Sequence, residues 1–179
     1  MPCFEEGFYG FPKTSSQQLN MKNYISRIRE KIGKEKLIHP AARIIVENEK
    51  GEILFIERMD NGKIGIPAGA LEENETISKC IIREVREETG IEILALEVIG
   101  LSSNPNAETV QYPNGDIIQY FTVEFYANSW KGSVKIFDKE EIQSAGFKSR
   151  RYLDSLPVNE KSIIESLRYY RKEKKIRVN

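Results

Sequence analysis

Histidine and cysteine are almost missing from this chain: one His and two Cys among 179 residues. The single histidine, His39, stands between Ile38 and Pro40. That excludes a zinc site needing two or more His and any mechanism built on a His cluster. No G-x-S-x-G elbow supplies a serine for a Ser-His-Asp triad either. His39 reads most simply as a polar residue at a strand entrance. Cys3 and Cys80 are too few for a disulfide scaffold and lack metal-ligand spacing, so two reduced thiols in a cytoplasmic protein are expected. Long apolar runs are also missing, far short of the ~20 residues that cross a bilayer. Glu5 and Glu6 interrupt the start before any signal-peptide core could form. Nor is there an excess of one charge: Lys+Arg and Asp+Glu are both 27. A general nucleic-acid binder would need a basic excess to neutralise phosphates. Membrane, secreted and collagen-like classes fall with these absences. What remains, 40% hydrophobic and 30% charged residues, suits one soluble mixed α/β domain.

Residues 1–17 form an aromatic segment broken by Gly and Pro (Phe4, Phe8, Tyr9 and Phe11 among Gly7, Gly10 and Pro12), expected as a flexible arm. The domain is expected over 18–179. Met21 reads equally well as a natural start, which would make residues 1–20 dispensable. Tyr24, Ile25, Ile28 and Ile32 lie at helical spacing over about 18–31, and Gly33 stops that helix. The apolar runs 41–46 and 53–56 flank the turn 48–51 and predict a hairpin of buried strands. Asn61-Gly62 marks a turn before 64–66. A helix over 75–89 and a strand over 93–101 follow. Residues 102–115 are polar, and the pair Asn114-Gly115 joins 110–112 to a long β-rich stretch, 117–126. A strand at 134–137, an acidic patch at 138–141 and a last helix over about 159–174 complete the chain.

The stretch that carries chemistry is Pro67-Ala68-Gly69-Ala70-Leu71-Glu72-Glu73-Asn74-Glu75, a seven-residue spacer, then Arg83-Glu84-Val85-Arg86-Glu87-Glu88-Thr89-Gly90-Ile91. At about 100° per residue, Ile77, Ile81 and Val85 make an apolar stripe. Glu84, Glu87 and Glu88 occupy the neighbouring arc. Three carboxylates so close repel one another, and Arg83 supplies only one opposite charge. A hard divalent cation with oxygen ligands is the obvious remainder. A merely solvated helix with i,i+4 pairs such as Arg83–Glu87 is the bland alternative. Asn74 sits where a left-handed backbone is tolerated.

The whole run satisfies G-x5-E-x7-R-E-U-x-E-E-x-G-U (U, aliphatic) at every specified position and resembles the signature of the Nudix hydrolase family. The resemblance implies an α/β/α sandwich around a mixed sheet, and Mg²⁺- or Mn²⁺-dependent hydrolysis of a nucleoside diphosphate linked to another group. By matching position it implies Glu84, Glu87, Glu88 and the carbonyl of Ala68 as metal ligands. Glu84 becomes the base or the holder of the attacking water, oriented with its neighbours by Arg83 and Glu75. Gly69 and Gly90 become backbone residues of loop and helix end. A further acid from the C-terminal half is expected at Glu141, with Glu140 and Glu124 as other candidates, so that Glu84, Arg83 and Glu141 form the expected catalytic set. Two positions depart from the common pattern, Ala68 for a glycine and Asn74 for another; neither change replaces a carboxylate.

Tyr112, Tyr120, Phe121, Phe125 and Tyr126 are the candidates to stack on a base, although alternation along a strand must send half of them to the core. Pro105 lies near the position where family members specific for ADP-ribose carry a proline, which favours ADP-ribose or a nucleoside diphosphate sugar. The rivals are a nucleoside triphosphate pyrophosphohydrolase and a non-catalytic nucleotide-binding module. The expected partner is a small nucleotide, without general nucleic-acid binding or a membrane, and a homodimer is the expected assembly. The basic tail (Arg168, Arg171, Lys172, Lys174, Lys175) reads as a solvated helix.

Overall fold

The computed structural model describes residues 24–59 and 62–179. The aromatic arm 1–17, Cys3, the start of the first helix and Asn61 of the expected turn lie outside the described residues. Contacts divide the chain between Gly33 and Lys34 into two units. In the first, helix α1 (Tyr24–Ile32) stops at Gly33, whose φ of 62° and N–H bond to the Arg29 carbonyl (2.8 Å) close the last turn.

The second unit runs through β1 (Leu37–Val46), β2 (Ile53–Arg58), β3 (Ile64–Gly65), β4 (Ala68–Ala70), α2 (Ile77–Thr89), β5 (Glu92–Ser102) and α3 (Pro105–Glu108). It continues with β6 (Thr109–Gln111), β7 (Ile117–Lys131), β8 (Ile142–Lys148), a 3₁₀ turn at Arg150–Ser155, another at Val158–Glu160, α4 (Ser162–Glu173) and β9 (Arg177–Val178). The main sheet has the order β4-β1-β7-β5-β9, with β6 also on β7. Pairs β1–β7 and β5–β9 are parallel and the rest antiparallel, so the sheet is mixed. A smaller sheet has the order β3-β2-β8.

Both faces of β1 are covered, which is why its sequence reads as an unbroken apolar run. Ala42, Ile44 and Val46 pack with Ile81 and Val85 of α2; the alternate Ile45 packs with Ile163 and Leu167 of α4. Helices therefore lie on the two faces of the sheet, the expected α/β/α sandwich. Burying each such Ile or Val contributes roughly 1.5–3 kcal/mol.

Several expectations change. The turn at 48–51 forms, with the Asn48 side chain accepting the N–H of Lys50 (3.0 Å) and Glu52 (2.9 Å). Its two strands part after the single bridge Glu47–Ile53, however, and β2 joins the second sheet. No strand forms at 134–137. Instead the Lys135 N–H bonds to the Thr89 carbonyl (2.8 Å), and those of Phe137 and Asp138 bond to the Glu87 carbonyl (3.1 and 3.0 Å). The segment thus satisfies carbonyls that the last turn of α2 leaves without partners. Helix α3, strand β8 and the turn at Arg150–Ser155 were not foreseen. The last helix begins at Ser162, three residues late, because residues 158–160 take a 3₁₀ turn. The β6–β7 hairpin forms around Asn114-Gly115 as expected.

Candidate active site

Helix α2 starts two residues later than its acidic entrance suggests. Thr76 is the N-cap, its hydroxyl accepting the Lys79 N–H (3.3 Å). Glu75, expected to open the helix, precedes that cap. Its carboxylate accepts the Glu72 N–H (2.9 Å) and bonds from Nη2 and Nε of the Arg83 guanidinium (2.8 and 3.1 Å). Asn74 adopts the left-handed backbone, φ 66°. The helix ends at Gly90 with φ 75°, where a Cβ would stand 2.5 Å from the Lys135 carbonyl oxygen. The thiol of Cys80 is buried under the preceding loop, 3.4 Å from the Ala70 carbonyl, and burial pushes it up to about 12.

The carboxylates differ sharply in environment. Glu87 has a half-exposed side chain and meets Arg83 at 3.2 Å. Glu84 meets the same guanidinium at 2.9 Å. Burial nevertheless pushes the Glu84 carboxyl up to about 7, against the pull of Arg83 and with help from Glu87 and Glu141. Glu88 is only 3% exposed, and among the described residues its Oε2 has no hydrogen-bond partner. Burial and the nearby Glu84 hold it well above the usual carboxylate range, while Arg58 and a backbone bond from Ala68 pull the other way. Gly69 permits this crowding, since a Cβ there would lie 1.9 Å from Glu84 Oε1. One arginine thus serves Glu75, Glu84 and Glu87, and Glu88 remains outside its reach.

Of the three later acids, the structure brings Glu141 toward the helix. It acts electrostatically on both Glu84 and Glu88. The turn that carries it is fixed by Asp138, whose Oδ1 accepts the N–H groups of Glu140 (3.1 Å) and Glu141 (3.0 Å). Glu124, by contrast, is fully buried on the α4 face of the sheet and paired with Arg43 (2.7 Å). Arg43 also meets Glu108 of α3 (2.6 Å) and Ser162 of α4. Ser162 bonds Glu124, and Thr122 (3.0 Å) and Ser102 bond Glu108. This network was not foreseen. Its members lie scattered between 43 and 162 and no local pattern joins them; an arginine inside an apolar strand run was the one available signal.

The aromatic candidates separate by alternation along β7. Phe125 is core. Tyr126 bonds Glu47 (2.7 Å) and lies under the Arg171 guanidinium (5.5 Å). Tyr120 is edge-on to the buried His39 (6.3 Å) and joined through its hydroxyl to Tyr112 (2.6 Å). Tyr112 and Phe121, 38% and 42% exposed, are the two with surface left to offer. Pro105 occupies the first turn of α3 after its N-cap Asn104.

Among the described residues no three His, Cys, Asp or Glu side chains converge as a ready metal cluster. Glu84 and Glu87 are turned onto Arg83 instead. The donors nonetheless suit a hard cation: an all-oxygen set, with more buried negative charge than Arg83 offsets and one buried carboxylate oxygen unpartnered.

The sequence profile of the NUDIX domain matches residues 37–167. The chain belongs to the Nudix family of hydrolases. It is 28% identical to the ADP-ribose pyrophosphatase of Methanocaldococcus jannaschii over 152 residues, covering 80% of this chain and 84% of that protein. Against several other curated relatives it spans only 36–40% of their length. The MutT protein of Methanosarcina mazei shares the fold with a TM-score of 0.60 at 24% identity, over 79% of this chain and 99% of that one. The NUDIX domain of Shewanella oneidensis NrtR, solved with ADP ribose, has a TM-score of 0.59 at 17% identity, over 77% and 90% of the two chains. Nudix hydrolases generally use a divalent metal. Among the described residues no helix is long and apolar enough to cross a membrane.

Proposed function

We propose that this Nudix hydrolase cleaves the pyrophosphate bond of a nucleoside diphosphate linked to a sugar, with ADP-ribose the favoured substrate. One observation carries the reading: Glu84 and Glu88 are withdrawn from water beside strand β4 with less positive charge than they need, Glu88 keeping an unpartnered oxygen. The likeness to an archaeal ADP-ribose pyrophosphatase over most of both chains supports the choice of substrate.

Mg²⁺ or Mn²⁺, held by the Ala68 carbonyl and the carboxylates of Glu84, Glu87 and Glu88, would neutralise diphosphate oxygens and acidify water. Glu84 orients the attacking water and accepts its proton, and Arg83, itself anchored on Glu75, fixes where Glu84 and Glu87 point. Water attacks one phosphorus and the bond from that phosphorus to the bridging oxygen breaks. From ADP-ribose the products are AMP and ribose 5-phosphate. Glu141 adds negative charge beside Glu84, which favours protonation there, and Tyr112 and Phe121 offer rings for the base. Such chemistry depends on positioning and charge more than on covalent steps. The reading includes a cytoplasmic setting and a homodimer, the latter checked by light scattering.

The test is a substrate panel with Mg²⁺ or Mn²⁺, products resolved by chromatography. Formation of AMP and ribose 5-phosphate from ADP-ribose, lost in Glu88→Gln, is the expected result. Pyrophosphate release from nucleoside triphosphates with ADP-ribose left intact would replace this substrate class with the triphosphates. Nucleotide binding without turnover of any panel member would make the domain a sensor.

A further inference from the structure

A second charge imbalance, of opposite sign, lies between the turn Arg150–Ser155 and α4. A cavity of about 300 Å³ is edged there by Arg150, Arg151, Arg168 and Arg171, and no residue of the 67–91 motif lines it. Its apolar wall is Leu153, Ile164 and Leu167, side chains of the core beneath α4. Arg150 and Arg171 both pair with Glu47 behind them, and Arg151 lies over the Tyr152 ring (5.6 Å). Arg168 has no ion pair or hydrogen bond among the described residues. Asp154 is the one carboxylate on the lining. Four guanidinium charges against Glu47 and Asp154 leave two positive charges uncompensated.

Like charges gathered around so small a space repel unless an anion joins them. The planar guanidinium fork fits phosphate oxygens in pairs, which a carboxylate-lined or lysine-lined cavity would not reproduce. The volume falls at the lower end of small-ligand sites, and a few charged groups over apolar walls is their usual composition. The apolar wall requires the ligand to have a body as well as a phosphate. We propose that this cavity binds a phosphomonoester of mononucleotide size, separately from the motif carboxylates and without a metal. Arg168 and Arg151 grip the phosphate; the base or sugar lies against Ile164 and Leu167.

The probe is AMP, titrated in EDTA into the full chain and followed by calorimetry and by the methyl resonances of Ile164 and Leu167. Saturable shifts at both methyls are expected. Arg168→Ala should weaken AMP binding at least tenfold, Arg151→Ala severalfold, and Arg168→Lys less than Arg168→Ala. Both arginines are exposed, so melting temperature and substrate turnover should stay near wild type. Unmoved methyls, or unchanged affinity in Arg168→Ala, overturn the proposal. Inorganic phosphate binding as tightly as AMP overturns the mononucleotide assignment. A 5′-phosphorylated RNA oligomer binding tenfold more tightly than AMP overturns it in favour of a nucleic-acid end.

Discussion

Glu124 and Glu88 are almost equally hidden from water, at 0% and 3% exposure, yet their surroundings are opposite. Glu124 is matched by Arg43 and Ser162 within a network that joins β1, β7, α3 and α4. Each keeps one oxygen without a hydrogen bond among the described residues, but Glu88 meets no arginine at salt-bridge distance there. Buried charge that is matched inside the protein holds elements together. Buried charge left unmatched raises the free energy of the apo protein, a cost that a bound cation would relieve. The same sheet thus carries a cohesive set of acids under α4 and a receptive set along α2.

The largest effect that would sharpen this contrast is Glu88→Gln. Turnover should fall roughly 10³-fold or more, the scale on which losing a metal-held charge costs several kcal/mol. Its apo melting temperature should not fall, because the amide removes an uncompensated charge. A variant that melted far below wild type would place Glu88 among the cohesive acids. Arg43→Ala should do the reverse. It strands Glu108 and Glu124 in the interior and should cost about 3–5 kcal/mol in denaturant unfolding. A loss under 1 kcal/mol would break the comparison on that side.

Glu47 tests the cohesive set through pH. Burial alone would raise its pKa, but the Tyr126 hydroxyl, Arg171 and Arg150 outweigh it and hold the carboxyl below its ordinary value of 4.5. A depressed folded-state pKa contributes stability that is present above 4.5 and is lost as pH falls through the lower folded value. Wild type should therefore lose melting temperature more steeply than Glu47→Gln as the pH is lowered from 5 toward 3. Parallel curves would remove Glu47 from the acid limb. Gly90→Ala follows, at about 1–2 kcal/mol, because φ is positive and the added Cβ meets the fixed Lys135 carbonyl.

The receptive set was legible in the sequence because its members lie within one loop and one helix, at spacings that a 3.6-residue repeat brings together. Glu75, Arg83 and Glu84 meet as the pattern requires. The cohesive set was not. Arg43 and Glu124 become neighbours only because β1 and β7 run parallel in one register, a fact that no local window contains. The same reason hid β8, whose Gln143, Ser144 and Gly146 dilute its apolar pattern while pairing with β2 supplies its order. Residues 134–137 misled in the other direction, since their apolar side chains suggested a strand while their N–H groups were needed by the end of α2.

Glu87 is where the two sets are hardest to tell apart, and its substitution carries the smallest stability effect. It stands on an exposed i,i+4 pair with Arg83, half open to water. Pairs of this kind contribute about 0.3–0.5 kcal/mol. Glu87→Gln should therefore shift the unfolding midpoint barely beyond error. If Glu87 also belongs to the receptive set, turnover should fall by roughly tenfold or more, with the required Mg²⁺ concentration rising, since a ligand has been removed while the buried carboxylates stay. Unchanged turnover and unchanged metal requirement would reduce Glu87 to the solvated helix face that its exposure alone suggests. The receptive set would then shrink to Glu84 and Glu88, the two acids of α2 that burial itself raises above the usual range.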